Sequence, residues 1–119
     1  AQALQAARAL SAAGLCNDAV SRAYYCVLHM LRAALLTRGL ESKTHAGAIH
    51  LYNAELVRAG LVPATHNRVL AGLQRSRELA DYDAAVAFTV EDARGAIADA
   101  EMVCAAIREL LVRDGWVSA

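Results

Sequence analysis

The sequence predicts an all-α fold, an up-and-down bundle of about five helices, and three observations carry that prediction. Apolar residues recur at helical spacing along most of the chain. No segment sustains a period-two alternation. Gly14, Gly39 and Gly60 each follow a helical pattern, where a left-handed residue closes a helix. With 119 residues, 57% hydrophobic and a single Pro, the chain has the size of one domain, residues 1–119, and no Ser/Pro-rich linker or internal repeat divides it.

A first helix, about Gln2 to Ala13, stops at Gly14. Asn17 is a capping residue type, and a second helix runs from there through Arg38 to Gly39. Thr44 is placed to cap a third that ends near Ala59 and Gly60, and Pro63 suits the first turn of a fourth. The fourth carries Val69, Leu70 and Leu73 and weakens at "DYDAAVAFT", Asp81 to Thr89. "TVED" then offers Thr89 as a cap with Asp92 three residues on, a weaker form of the capping box, before a long helix to about Arg113. The chain starts at Ala1, without Met or cap and inside a helical pattern, so a longer natural N-terminus is expected.

Charge and cysteine usage narrow the function classes. Twelve Lys and Arg balance twelve Asp and Glu, so any nucleic-acid contact must come from a local basic patch. Cys16, Cys26 and Cys104 are odd in number, far apart in sequence and all in helical patterns. That points to a reducing compartment and to small packing or surface residues, not to a disulfide framework. Arg22, His29, Arg32 and Arg38 interrupt the longest apolar run, and no signal peptide is recognisable. A soluble, cytoplasmic protein with no membrane partner is the expectation.

The second helix holds the most informative pattern. Around "SRAYYCVLHMLRAALL", Ser21 to Leu36, the residues Val20, Tyr24, Val27, Leu31 and Leu35 form an apolar seam. Asp18, Arg22, Tyr25, His29 and Arg32 form a polar line at similar spacing. An amphipathic helix ordinarily turns such a line to water. Here the flanks, Ala23, Cys26, Leu28, Met30, Ala33 and Leu36, are apolar as well, which suits a cleft or a subunit interface. His29 is a candidate base, Arg22 and Arg32 are candidate phosphate ligands, and Tyr25 is a candidate stacking group. Asp18 can equally pair with Arg22. Cys26 and His29 are three residues apart, but no second close pair completes a zinc site, so neither metal nor cofactor is expected. A second cluster, "RSRELADYD", Arg75 to Asp83, sets Arg77 and Asp81 four apart, the spacing of an ordinary helical ion pair. Arg75 and Arg77 would also supply the local positive patch that the whole chain lacks.

Three segments, "SRAYYCVLHMLRAALLTRGL", "KTHAGAIHLYNAELVRAGL" and "RELADYDAAVAFTVEDARGAIADAEMV", resemble in that order the HEPN superfamily, specifically its branch of small prokaryotic UPF0332 proteins. The likeness runs from about Asn17 to Arg113. It implies a helical bundle that forms homodimers and is often encoded beside a minimal nucleotidyltransferase, as toxin and antitoxin. In catalytic members it implies a metal-independent endoribonuclease. The motif of those members, an Arg and then a His after four to six residues near the last long helix, departs here. Tyr82, Asp83 and Ala84 stand at the expected distance from Arg77, and no His follows. Arg77, Asp81 and Tyr82 match the branch's own "RxxxDY" element. Arg22 and His29 have a similar spacing but lie on the second helix, so the family's catalytic role is not carried to that pair.

Metal-free RNA cleavage needs a base for the ribose 2′-hydroxyl and cationic donors for the phosphate. His29 or His45 could be the base, and Arg77, Arg22 or Arg32 the donors. The expected site is a polar cleft with His29 and Arg77 as its catalytic pair. Arg22, Tyr25, Arg32, His45, Arg75, Asp81 and Tyr82 would hold RNA or a nucleotide there. The alternative is a non-catalytic helical dimer that docks or regulates a partner, with the polar line facing water.

Overall fold

The computed structural model describes residues 2–83 and 85–118. In chain order it has α1 (Gln2–Ala12), α2 (Cys16–Leu36), α3 (His45–Tyr52), a π-helical turn (Asn53–Val57), α4 (His66–Tyr82) and α5 (Val90–Arg113), with no strand among the described residues. The all-α, five-helix bundle is what the periodicity predicts.

α2 is the central element and packs against α1, α3, α4 and α5. Its seam is the core: Val20, Tyr24, Val27, Leu31 and Leu35 are all 2% exposed or less. Burying a side chain such as Leu31 contributes about 1.5–3 kcal/mol. Long-range pairs fix the helix directions. Asn17 near the start of α2 bonds to the segment leading into α5, and Arg38 just past its end pairs with Asp114 just past the end of α5 at 3.0 Å. α2 and α5 therefore run parallel. Arg8 of α1 pairs with Glu101, while Ser11 and Ala12 lie against Val90 and Arg94, so α1 opposes α5. Asp81 at the end of α4 meets Ser21 near the start of α2, and Leu61 ahead of α4 accepts a bond from Arg113 at the end of α5, so α4 opposes both. The order α1, α2, α4, α5 is up-and-down, with α3 and the π-helical turn inserted at one end.

Most local signals act where the sequence places them. Gly14, Gly39 and Gly60 have φ of 81°, 72° and 76°, conformations that cost glycine nothing. Thr44 accepts a bond from the Gly47 amide, and Thr89 and Asp92 form a complete capping box. Three boundaries differ. α3 ends at Tyr52 and continues as the π-helical turn, bracketed by the fully buried Tyr52 and Leu56. Pro63 lies ahead of α4, where its carbonyl accepts a bond from the His66 amide. Asn17 is not the cap of α2: Leu15 takes that position with no side-chain bond. The Asn17 side chain instead donates to the Val86 carbonyl and accepts from the Phe88 amide, each at 2.9 Å. The irregular segment before α5 has backbone groups that helical bonding leaves unpaired, and a nearby amide side chain satisfies them. No helix among the described residues is long and apolar enough to cross a membrane.

Candidate functional site

Leu70, Leu73 and Arg77 lie at i, i+3 and i+7 on the inward face of α4, which is why an arginine enters the core side of that helix. Arg77 is 7% exposed. Its guanidinium carbon lies 4.9 Å from the ring centre of Tyr24, 5.9 Å from that of Tyr25 and 5.7 Å from that of Tyr82. One turn on, an Asp81 carboxylate oxygen is 3.9 Å from Arg77 Nη1, and the other accepts a bond from the Ser21 hydroxyl. Nη1 also donates to the Tyr82 hydroxyl at 3.4 Å. The spacing of Arg77 and Asp81 thus yields the expected ion pair, shared with a hydroxyl from α2.

His45, the first residue of α3, closes the other side, with its ring 5.8 Å from Tyr25 and 6.2 Å from Tyr24, centre to centre. Local chemistry holds it there. Thr44 Oγ1 caps the Gly47 amide at 2.9 Å, and Ser42 Oγ accepts from the Thr44 amide at 3.3 Å. A Cβ on residue 47 would sit 2.7 Å from Thr44 Oγ1 and closer still to Ser42 Oγ, so glycine lets both side chains fold over the first turn. The His45 imidazole titrates below its ordinary value. Burial comes first, followed by the positive charges of Arg32, Arg77 and His29, and the start of a helix acts in the same direction.

Several polar atoms here lack partners. Arg77 Nε, Arg32 Nε and the Tyr24 hydroxyl are buried with no hydrogen bond. Burial raises the Tyr24 phenol above its ordinary value, and the nearby Arg77 charge opposes that rise only in part. Tyr24 is the site residue the sequence reading missed. Its spacing puts it in the apolar seam, and its ring does pack there, but it also forms the floor under Arg77. A tyrosine beside Tyr25 at a seam position was the available signal.

The structure thus gathers Tyr25, His45, Arg77, Asp81 and Tyr82 around one point, with Arg32 half-buried and His29 close enough for its charge to act on His45. Arg22 and His29 are exposed, because α4 covers the polar line only near Tyr24 and Tyr25. Within one chain the enclosed cleft is therefore an open face along much of its length. Asp18 and Arg22 form no ion pair among the described residues. Arg75 is exposed and lines a shallow groove with Arg77, Leu79 and Tyr82. Cys26 points inward while His29 points out, so the two do not converge on a metal. A separate buried pair lies between α3 and α4: Tyr52 and His66 stack at 6.0 Å, with the Tyr52 hydroxyl 2.8 Å from His66 Nδ1 and His66 Nε2 unpartnered.

The chain is a helical domain, an up-and-down bundle whose fourth helix buries an arginine among tyrosines, with a histidine at the start of the third. A family model described as "HEPN domain" matches residues 1–110, and the chain belongs to the HEPN family. It is 36% identical over 108 residues to a Methanocaldococcus jannaschii protein named "Putative toxin", an alignment covering 91% of this chain and 80% of that protein. It is 37% identical over 84 residues to a UPF0332 protein of Gloeobacter violaceus, covering 71% of this chain and 67% of the other.

Proposed function

We propose that this chain is a toxin-like HEPN protein that binds the phosphates of RNA or of a nucleotide at the Arg77 site, paired with a minimal nucleotidyltransferase as its antitoxin. The observation that carries this reading is the set of unpartnered donors: Nε of Arg77 and of Arg32, beside the unpartnered Tyr24 hydroxyl. Buried arginine donors left unpaired favour an anionic oxygen. Asp81 is the carboxylate paired with Arg77, at 3.9 Å. Burial and the surrounding cations lower the His45 imidazole, a shift that favours the neutral form a base for a ribose 2′-hydroxyl requires. His29 is the second candidate, at the outer edge. This would be metal-independent endoribonuclease chemistry, and the name of the archaeal relative agrees with a toxin's role.

A second reading has its own support. Arg77 already contacts three tyrosines and Asp81, contacts that suit a structural post in a non-catalytic interaction module. Single-stranded RNA binding and cleavage by the native chain and by His45→Ala, His29→Ala and Arg77→Lys separate the two. The ribonuclease reading expects cleavage to fall about 10²–10⁴-fold in His45→Ala, with melting unchanged. Binding without cleavage in the native chain would leave the interaction module. Absence of RNA or nucleotide binding even at low salt would remove the phosphate site.

A further inference from the structure

The strongest feature outside this site is a pair of thiols. Cys26 of α2 and Cys104 of α5 are 78 positions apart in sequence, yet their sulfurs lie 3.9 Å from each other in the core. They are 4% and 8% exposed. No other pair of the three cysteines is in such contact: Cys16 lies ten residues from Cys26 on α2. The two sulfurs stand in contact between parallel helices, the approach from which a disulfide bond forms.

We propose that Cys26 and Cys104 form a modification site, a dithiol that a hydroperoxide oxidises to a disulfide joining α2 to α5. In the first step the thiolate of one cysteine of the pair attacks one peroxide oxygen, the O–O bond breaks, and that cysteine becomes a sulfenic acid as the other oxygen leaves as water or alcohol. In the second, the sulfur of its neighbour attacks the sulfenic sulfur, the S–S bond forms, and water departs with the neighbour's thiol proton. Each sulfur is oxidised by one electron, and the peroxide is reduced by two. The hydrogen bond from one sulfur to the other favours a thiolate at Cys26 and lowers that thiol, with burial opposing the effect. Cys104 is pushed upward by the same contact and by burial. Either sulfur can donate in this contact, so either thiol can attack first while the other resolves. The low exposure of both sulfurs selects for a small oxidant such as hydrogen peroxide.

The native chain itself provides the test. It is treated with hydrogen peroxide under folding conditions, then unfolded, alkylated and digested with trypsin, which leaves each cysteine on its own peptide: residues 9–22, 23–32 and 95–108. The expected product is a linkage between 23–32 and 95–108 within one chain. It should be reversed by dithiothreitol and leave Cys16 free to alkylate. The oxidised chain should also unfold at a higher urea concentration than the reduced one, because the bond closes a long loop. Three alkylated thiols after treatment, a bond to Cys16 or to a second chain, or overoxidation of Cys26 or Cys104 without a linkage would each overturn the proposal. Cys26→Ser and Cys104→Ser should abolish the product, and a linkage surviving in either would overturn it as well.

Discussion

The guanidinium of Arg77 lies 4.9 Å from the centre of the Tyr24 ring, a cation held over an aromatic face in a place nearly closed to water. Such contacts are worth about 2 kcal/mol or more when desolvated. The same arginine keeps an unpartnered Nε, so one residue serves both packing and the proposed ligand.

Arg77→Ala should therefore destabilise the fold by about 2 kcal/mol and weaken RNA binding by roughly 10–100-fold, the loss of a charged hydrogen bond. Arg8→Ala and Arg113→Ala should cost much less binding, since Arg8 pairs with Glu101 and Arg113 bonds to the Leu61 carbonyl, away from the site. Affinity should fall as salt rises. Equal losses in all three variants, measured by fluorescence anisotropy, would reduce the interaction to diffuse charge attraction.

His66 is fully buried against Tyr52, and burial lowers its imidazole below the ordinary 6.5. The unfolded chain then binds the proton more readily than the folded one. The stability from a neutral His66 is present above pH 6.5 and is lost as pH falls through 6.5 toward the folded-state value. His45 shifts in the same direction and adds to the effect. Urea midpoints from pH 8 to pH 5 should decline, and His66→Phe should flatten that decline; an unchanged slope would mean other groups set it. Tyr52→Phe leaves His66 Nδ1 without its partner and should cost about 1–3 kcal/mol.

Asn17 is the tie between α2 and the segment ahead of α5. Asn17→Ala removes both 2.9 Å bonds, leaves the Phe88 amide without this partner and should cost about 1–3 kcal/mol. Hydrogen exchange at Phe88 should accelerate more than at amides in the middle of α5. Protection unchanged at Phe88 would show that the bond is dispensable.

Homodimerisation is predicted from the family resemblance, and only part of the apolar flank of α2 is free to serve it. Ala23, Cys26 and Leu28 of α2 are covered within a single chain, and the exposed large apolar residues include Leu15, Leu36, Met102 and Trp116. Sedimentation at micromolar concentration should give twice the chain mass. A persistent monomer there would count against an obligate dimer.

What the sequence disclosed and what it hid divide along the range of the interactions. Thr44, Thr89 with Asp92, and the glycines at 14, 39 and 60 act on backbone within four residues, so their roles could be read directly. Asn17 looked like another local cap and was claimed by a loop some seventy residues away. The polar line on α2 was legible as a pattern, but which of its members are covered depends on where α4 crosses it, and no spacing within α2 encodes that. Leu70 and Leu73 share a face with Arg77, yet the sequence reading gave Arg77 an ion pair, a positive patch and the wall of a cleft, not a place in the core. Its setting among three tyrosines required the fold.

The parallel pairing of α2 with α5 bears on how the chain is made. During synthesis α2 leaves the ribosome early, while the helix that covers Cys26 and the neighbouring seam follows the other four. A nascent chain that has reached only Tyr82 carries α1, α3 and α4, yet a long apolar flank of its central helix is still bare. Such an intermediate is the kind of surface that chaperones hold and that aggregation exploits. Ribosome-stalled chains ending before Val90 should therefore be bound by chaperones, and release should follow once α5 has emerged.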